Sequence, residues 1–402
     1  MKVAFVAANF PPEACGGTEQ VVLALARELR LRNIEVIVIT ASDHITEDPS
    51  VVRSNVDGIE VVRLQRRFAE FDLHGFDRPR LLQHLEEHLR SEQPDIVHVH
   101  SFAGLGLGIG ERCRKLGLPM VITCHDLWTT CAKFFRLPAG GVQCPQDADR
   151  TPCVVCVNDA MQTDPAVVVA GLTRRTRQVQ EEFAIAARCT VPSRSAADVV
   201  RRCVPYQGAI DVIPHGLLRE VPSEHRQTPP DPKRPLRLGT FGGLVAEKGV
   251  RELIEAVCAL PCDLHLAGPF HDSAFQAEMQ ALAQAQCTYL HQRPRYEPED
   301  RHPARDIDLA VFPSKCHETY GLVVDEALAH GVPVVCSDLG ALAERADTPG
   351  VVVTPINRLA HVLEDLIGSP ERLDALRDAI PSSLPMIATS ADRHRDLYMS
   401  LV

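Results

Sequence analysis

The stretch Pro313-Ser314-Lys315-Cys316-His317-Glu318-Thr319-Tyr320-Gly321-Leu322-Val323-Val324-Asp325-Glu326-Ala327 gathers groups suited to a phosphorylated, hydroxyl-rich ligand. An apolar run ends at Pro313, a polar loop follows, and a helical pattern opens near Gly321. The amides of Gly321, Leu322 and Val323 then fall at a helix N-terminus, where unpaired N–H groups and the helix dipole attract phosphate oxygens. Glu318 stands just before that helix and Glu326 in its second turn. A carboxylate on each side can accept hydrogen bonds from hydroxyls, one set on a sugar and one on a ribose. A glutamate near a helix N-terminus is also favoured by the dipole alone, so the pair takes its meaning from what surrounds it.

Two further constellations stand out. Gly16-Gly17-Thr18-Glu19 follows the first apolar run and opens the first helical pattern. Glycines there let a diphosphate or a sugar approach the backbone; the alternative is a flexible loop with Thr18 as helix cap. Cys131, Cys144, Cys153 and Cys156 are spaced C-x12-C-x8-C-x2-C in Leu127–Asp159, a stretch with Pro, Gly and Asp and little periodicity. Four thiolates without an open position suit a structural Zn²⁺. An iron–sulfur cluster uses the same ligands, and unrelated or disulfide-paired cysteines fit the same spacing. Of the remaining cysteines, Cys203, Cys258, Cys262, Cys287 and Cys336 sit in apolar periodic contexts and are expected as buried small hydrophobes. Cys15 and Cys124 fit pocket lining or core equally well.

The elements that position these residues alternate between strand and helix. Val3–Ala7, Val36–Thr40, Ile59–Leu64, Ile96–His100 and Met120–Cys124 are near-continuous apolar runs, as parallel strands covered on both faces are. Glu19–Leu31, Pro79–Arg90 and Glu111–Leu116 carry helical spacing, with Gly117 as a stop. Leu218–Pro235 has five prolines and no apolar period, which marks a linker. The rhythm then resumes with strand Leu236–Phe241, helix Val250–Ala259, strand Leu264–Ala267, helix Ala274–Ala285, strand Leu309–Phe312, helix Leu322–His330 and strand Val332–Ser337. The expected fold is α/β, with two Rossmann-like doubly wound domains facing each other across a cleft. Their spans are 1–217, with a Cys-rich insertion at 127–159, and 236–387 after a linker at 218–235. Residues 388–402 form a candidate helix able to return to the N-terminal domain.

Composition narrows the class. The 402 residues exceed one typical core, and 45% hydrophobic with 24% charged residues excludes disorder. A net charge of −11 argues against nucleic acid as partner. The apolar N-terminal run stops at Pro11-Pro12, too soon for a signal peptide, and no window reaches the length of a membrane span. A reducing, cytoplasmic setting is expected, which favours metal ligation or burial over disulfides; contact with the inner face of the membrane stays open. Arg174-Arg175-Thr176-Arg177 reads as a solvated helix face, with a phosphorylated or lipid acceptor as the alternative. His98 and His100 alternate on a strand, so one alone is expected to face the cleft; His100 at the strand end is the candidate, with a packed core histidine as the equal alternative.

The ordered set Gly16-Gly17-Thr18-Glu19, Val99-His100-Ser101, His125-Asp126, Ile213-Pro214-His215-Gly216, Glu247-Lys248-Gly249 and the paired glutamates resembles glycosyltransferase family 4, retaining enzymes of GT-B fold, over nearly the whole chain. The resemblance implies transfer of a sugar from a nucleotide-diphosphate donor, a UDP- or GDP-sugar, to a hydroxyl of a saccharide, lipid-linked or small-molecule acceptor. Polysaccharide or glycoconjugate synthesis is the usual setting. It implies that Glu326 holds the ribose, that Glu318 and His125 lie beside the transferred sugar, that Lys248 neutralises the diphosphate, and that Gly16 and Gly17 approach the donor phosphates. In such enzymes the acceptor attacks from the side the nucleotide leaves and a diphosphate oxygen takes its proton, so neither a protein nucleophile nor a catalytic metal is expected. Gly243 departs from the pattern, standing where the family usually carries a diphosphate-binding arginine. A nucleotide-sugar epimerase or hydrolase of the same fold is the alternative enzyme, and the departure at Gly243 leaves room for a catalytically impaired zinc-containing binding protein.

Overall fold

Runs of Val, Ile and Ala that are buried along their whole length, such as Val3–Ala7, build a largely parallel sheet in each of two units. The computed structural model describes residues 1–67, 78–138, 144, 150–157, 164–223, 233–285, 289–294, 296 and 301–402. One unit is Met1–Leu218 with Met386–Val402, the other Arg219–Pro385. Cys287 and linker residues 224–232 lie outside the described residues.

Among the described residues the first unit has strands β1 (Lys2–Ala7), β2 (Glu35–Ile45), β3 (Val51–Val56), β4 (Ile59–Arg66), β5 (Ile96–Val99), β6 (Met120–Thr123), β7 (Arg188–Val191) and β8 (Ile210–Val212). Their order is β3-β4-β2-β1-β5-β6-β7-β8. All pairings are parallel except β3 with β4. The helices are α1 (Gly17–Leu31), α2 (Pro79–Glu92), α3 (Ile109–Leu116), α4 (Cys153–Val157), α5 (Pro165–Ile185) and α6 (Arg194–Cys203). Helix α1 buries every residue from Val21 to Ala26 and Leu29, which includes the predicted positions Val22, Leu25, Ala26 and Leu29. Gly117, at φ 67°, ends α3 as expected. The antiparallel edge strand β3 has no counterpart in the expected elements, because its half-exposed Val-Val-Arg-Ser-Asn-Val lacks an apolar run.

The second unit contains β9 (Leu236–Phe241), α7 (Val250–Val257), β10 (Cys262–Ala267), α8 (Ser273–Ala285), β11 (Tyr289–Arg293), β12 (Leu309–Phe312), α9 (Leu322–Ala329), β13 (Val334–Ser337), β14 (Val351–Thr354), α10 (Leu359–Ile367) and α11 (Pro370–Asp378). Its sheet runs β11-β10-β9-β12-β13-β14, all parallel. The last helix, α12 (Ile387–Met399), belongs to the first unit. Arg32 donates to Asp392 at 2.8 Å and to the Ala388 carbonyl at 2.9 Å, fastening α12 beside α1. No helix among the described residues is long and apolar enough to cross a membrane.

Several sequence expectations need correction. Gly16, not Thr18, caps α1, and the Glu19 carboxylate turns back to the Gly16 amide in the manner of a capping box. Cys258 is exposed and Cys203 only half-buried, because each sits at a helix end rather than on its inner face. Arg175 is buried, its guanidinium 4.1 Å from the centre of the Trp128 ring, so only Arg174 and Arg177 of that cluster face solvent.

Helix α3 starts without a capping side chain of its own. The buried Glu182 carboxylate takes over, accepting the amides of Gly108, Ile109 (3.0 Å) and Gly110 (2.7 Å). Burial pushes this carboxyl up, with the three amides opposing the shift. Glu182→Ala leaves those donors without their acceptor inside the core and is expected to cost about 2–3 kcal/mol. A urea titration followed by a probe in the first unit reads this as a lowered midpoint at unchanged slope, and an unmoved midpoint would refute the cap.

Candidate functional site

In the second unit the loop after β12 is held by close backbone contacts. Gly249, at φ 74°, lets the turn after Lys248 lie against Pro313; a Cβ there would come within 2.0 Å of the Pro313 carbonyl oxygen. The Lys315 amide donates to the Glu247 carbonyl at 2.8 Å, and the Lys315 ammonium pairs with Glu252 at 2.7 Å. These contacts bring the Lys248 ammonium onto the Glu318 carboxylate, which also accepts the Ser314 hydroxyl at 2.6 Å. Burial alone would raise the Glu318 carboxyl and depress the Lys248 ammonium. Their mutual attraction reverses both shifts, holding Glu318 below and Lys248 above their usual values.

Helix α9 starts at Gly321, at φ 82°, with no side-chain cap, so its first amides keep the dipole end open. Its first turn is braced by Asp325, a residue with no local signal in the sequence. The Tyr320 hydroxyl donates to Asp325 at 2.7 Å, and Arg345 donates to the same carboxylate at 2.8 and 3.3 Å. Glu326 lies one residue further on, with the His302 imidazole 3.8 Å from its Oε2. Gly243 has no positive φ, and a Cβ there would meet His271 at an ordinary 3.6 Å, so the backbone does not demand glycine. A cavity of about 100 Å³ opens beside Phe241, His265, His291, Arg293 and Ile307, but Lys248, Glu318 and Glu326 do not line it.

In the first unit five histidines from β5, the turns after β5, β6 and β8, and α12 form a buried cluster. His100 Nδ1 lies 2.8 Å from His125 Nε2, and His125 Nδ1 lies 3.4 Å from His215 Nε2. His98 bonds through Nδ1 to the Tyr398 hydroxyl at 2.5 Å and through Nε2 to Thr123 at 2.6 Å. The rings of His98 and His100 are 4.0 Å apart, so the expectation that only one of them faces the site fails. Residues two apart on a strand share a face, and both imidazoles join the cluster. Burial, then repulsion among neighbouring rings, pushes His98, His100, His125 and His215 well below their usual value; burial, opposed by the hydrogen bond to the Ser390 carbonyl, takes His394 down to about 4. Asp126, following His125, accepts the Trp128 amide at 2.8 Å and acts electrostatically on Glu19, which folds over Gly16. The glycine loop and the His125-Asp126 turn therefore share one neighbourhood.

The cysteine loop packs onto α5 through Trp128 and Arg175, whose guanidinium also donates to the Trp128 carbonyl. Arg136, at φ 50°, donates to the carbonyls of Thr130 and Cys144, each at 3.3 Å. Burial raises the Cys144 thiol; Arg136 opposes this, while Cys131, Cys153 and Cys156 add to it. All four sequence-selected cysteines are thus electrostatic neighbours. Among the described residues no group of three or more His, Cys, Asp or Glu side chains is set to hold a metal ion.

Residues 15–218 match the model described as Glycosyltransferase Family 4, and residues 235–369 the model described as Glycosyl transferases group 1. The chain is 29% identical over 350 residues to a GDP-mannose-dependent alpha-mannosyltransferase of Mycolicibacterium smegmatis, covering 85% of this chain and 80% of that protein. It is 27% identical over 415 residues to a D-inositol 3-phosphate glycosyltransferase of Rhodococcus erythropolis, covering 95% and 83%. Sucrose-phosphate synthase from Thermosynechococcus elongatus matches its fold with a TM-score of 0.71 at 18% identity, covering 100% of this chain and 98% of that one. The chain thus has the GT-B fold.

The neutral histidine cluster has a consequence for stability. Each imidazole takes up a proton in the unfolded chain near pH 6.5 but resists protonation when folded, so acid favours unfolding. Stability of the first unit is expected to be full above about pH 7 and to fall by about 1.4 kcal/mol per pH unit for each such histidine below about pH 6.5. Urea midpoints at pH 7.5 and 5.5 check this; equal midpoints would mean the cluster is not buried neutral.

Proposed function

Because the chain belongs to glycosyltransferase family 4, we propose that it transfers a hexose with retention from a nucleotide-diphosphate sugar, GDP-mannose being the first candidate, to the hydroxyl of a phosphorylated or saccharide acceptor. GDP-mannose is suggested by the name of the mycobacterial relative, and a phosphorylated acceptor by that of the inositol-phosphate glycosyltransferase. The observation that carries the reading is the Lys248–Glu318 pair beside the uncapped start of α9, with Glu326 one turn along. An ammonium has three N–H donors, and Glu318 takes one, leaving two for diphosphate oxygens. With the amides of Gly321, Leu322 and Val323, Lys248 supplies positive charge where the leaving diphosphate develops its negative charge. Glu318 anchors the ammonium and offers its second oxygen to a sugar hydroxyl, and Glu326 accepts from the ribose. In the first unit the buried, neutral His125 would line the sugar side through its ring, both of its nitrogens being engaged by His100 and His215, and a phosphate would reach the Gly16-Gly17 backbone by displacing the Glu19 carboxylate from the Gly16 amide. With charge supplied this way, the reading includes no catalytic divalent cation.

The test is nucleotide release from UDP-, GDP-, ADP- and dTDP-sugars, with and without acceptors, and the anomeric configuration of the product by NMR. Release that requires an acceptor and keeps the donor's configuration is expected. Equal release without acceptor supports a hydrolase or epimerase, and no nucleotide sugar raising the melting temperature supports a binding protein. Lys248→Ala is expected to lower kcat/KM by about 10²–10³, roughly 2.7–4 kcal/mol of transition-state stabilisation.

Cys131, Cys144, Cys153 and Cys156 are proposed to hold a structural Zn²⁺, a role supported by the mutual influence of their thiols. The metal would staple the loop, which is proposed to form part of an acceptor wall or lid. Elemental analysis is expected to give one zinc per chain, lost in the Cys153→Ser/Cys156→Ser variant together with acceptor affinity. Iron in place of zinc, or metal-free protein with full acceptor affinity, would overturn the assignment.

A further inference from the structure

We propose that His302 is a positioning residue for Glu326, fixing the carboxylate that selects a ribose over a deoxygenated sugar in the nucleotide; this rests on the donor-site reading above. His302 precedes the short 3-10 turn Pro303–Asp306, and its Nδ1 accepts the Ala304 amide at 3.1 Å. A backbone amide can only donate, so the Nδ1 lone pair is occupied and the neutral ring carries its proton on Nε2. That Nε2 is buried without a hydrogen-bond partner, and it faces Glu326 Oε2 at 3.8 Å. A buried N–H with no acceptor, aimed at a carboxylate just beyond bonding distance, is a group the fold keeps at a cost unless something uses it.

The ring has little freedom to turn away. His330 stacks on it at 4.6 Å between centroids with the planes 16° apart, and Phe241 and Tyr296 meet it edge-on at 4.9 and 5.7 Å. His330 is the residue that closes α9, four positions after Glu326. The stack therefore ties His302 to the same helix that carries the carboxylate. Tyr296 adds a second witness, since Glu326 acts electrostatically on its phenol. An Nε2–H that closes this gap onto one carboxylate oxygen as the nucleotide binds would leave the other lobes of Glu326 oriented for two vicinal hydroxyls. A site built to receive hydroxyls rejects a ligand that lacks them, because its carboxylate is then left desolvated and unpaired.

The experiment is calorimetric binding of GDP and UDP, each alongside its 2′,3′-dideoxy form, to the full chain. His302→Phe keeps an aromatic ring in the stack and removes the N–H; His302→Gln restores a donor; Glu326→Gln tests the carboxylate itself. The tighter-binding ribonucleotide is expected to lose about tenfold in affinity in His302→Phe. Its dideoxy form should bind that variant as it binds the unaltered protein, and His302→Gln should recover most of the loss. A ribose preference that vanishes in Glu326→Gln but persists unchanged in His302→Phe overturns this proposal alone. Equal weakening of both nucleotide forms in His302→Phe, without recovery in His302→Gln, also overturns it and leaves His302 a packing residue. A preference that survives Glu326→Gln, or no binding of either nucleotide, overturns the donor-site reading and this proposal with it.

Discussion

A carboxylate that gives up most of its water must find a cation or a proton, and at Glu318 the answer is Lys248. Much of the second unit's local geometry follows from making that pairing unavoidable. The Gly249 turn lies against Pro313, which sets the height of Lys248 relative to the loop after β12. The Ala341 amide donates to the Glu318 carbonyl at 2.8 Å, and the Ser314 hydroxyl donates to Oε1, the carboxylate oxygen that Lys248 also contacts. A charged pair in such a place adds little net stability, since desolvation consumes what Coulomb attraction returns. Its value lies in orientation: a flexible lysine is held at one point beside the start of α9.

The first unit handles buried polar groups the opposite way. Its histidines stay neutral, and hydrogen bonds run from ring to ring and to Tyr398 and Thr123 instead of to counter-charges. Neutral imidazoles carry both a donor and an acceptor, so a chain of them pairs most of its nitrogens without importing a carboxylate, His100 Nε2 and His394 Nε2 being left without a partner among the described residues. The return of α12 is part of this solution. Tyr398, fully buried, comes from the C-terminal end of the chain to occupy His98, so the histidine cluster needs residues 300 positions apart in sequence.

Legibility in the sequence follows physical visibility. Strands buried on both faces, such as Val3–Ala7 and Leu309–Phe312, announce themselves by composition, and the parallel α/β architecture follows from their spacing. Edge strand β3 and the half-exposed β8 and β11 do not, because alternating or polar residues carry no run. Lys248 and Glu318 stand in motifs far apart in sequence, and the fold brings them into contact. Asp325, Arg345 and His302 carry no such signal, since each matters through one tertiary contact that no local pattern encodes. Arg175 misleads for the same reason: a cluster of arginines looks solvated until Trp128 is known to lie over one of them.

Gly243 shows how far a missing side chain can be interpreted. Its backbone would admit a Cβ, and the space beyond is bordered by His271, so the fold does not require the glycine there. The absence of an arginine is then a choice made by this chain about charge, not about conformation. Without that guanidinium, the proposed donor site draws its positive potential for a diphosphate from Lys248 and the α9 dipole. A single ammonium on a flexible stem is a poor substitute for a rigid fork unless something fixes it. Glu318 does so, which is why the ion pair, rather than either residue alone, is the feature on which the proposed donor site turns.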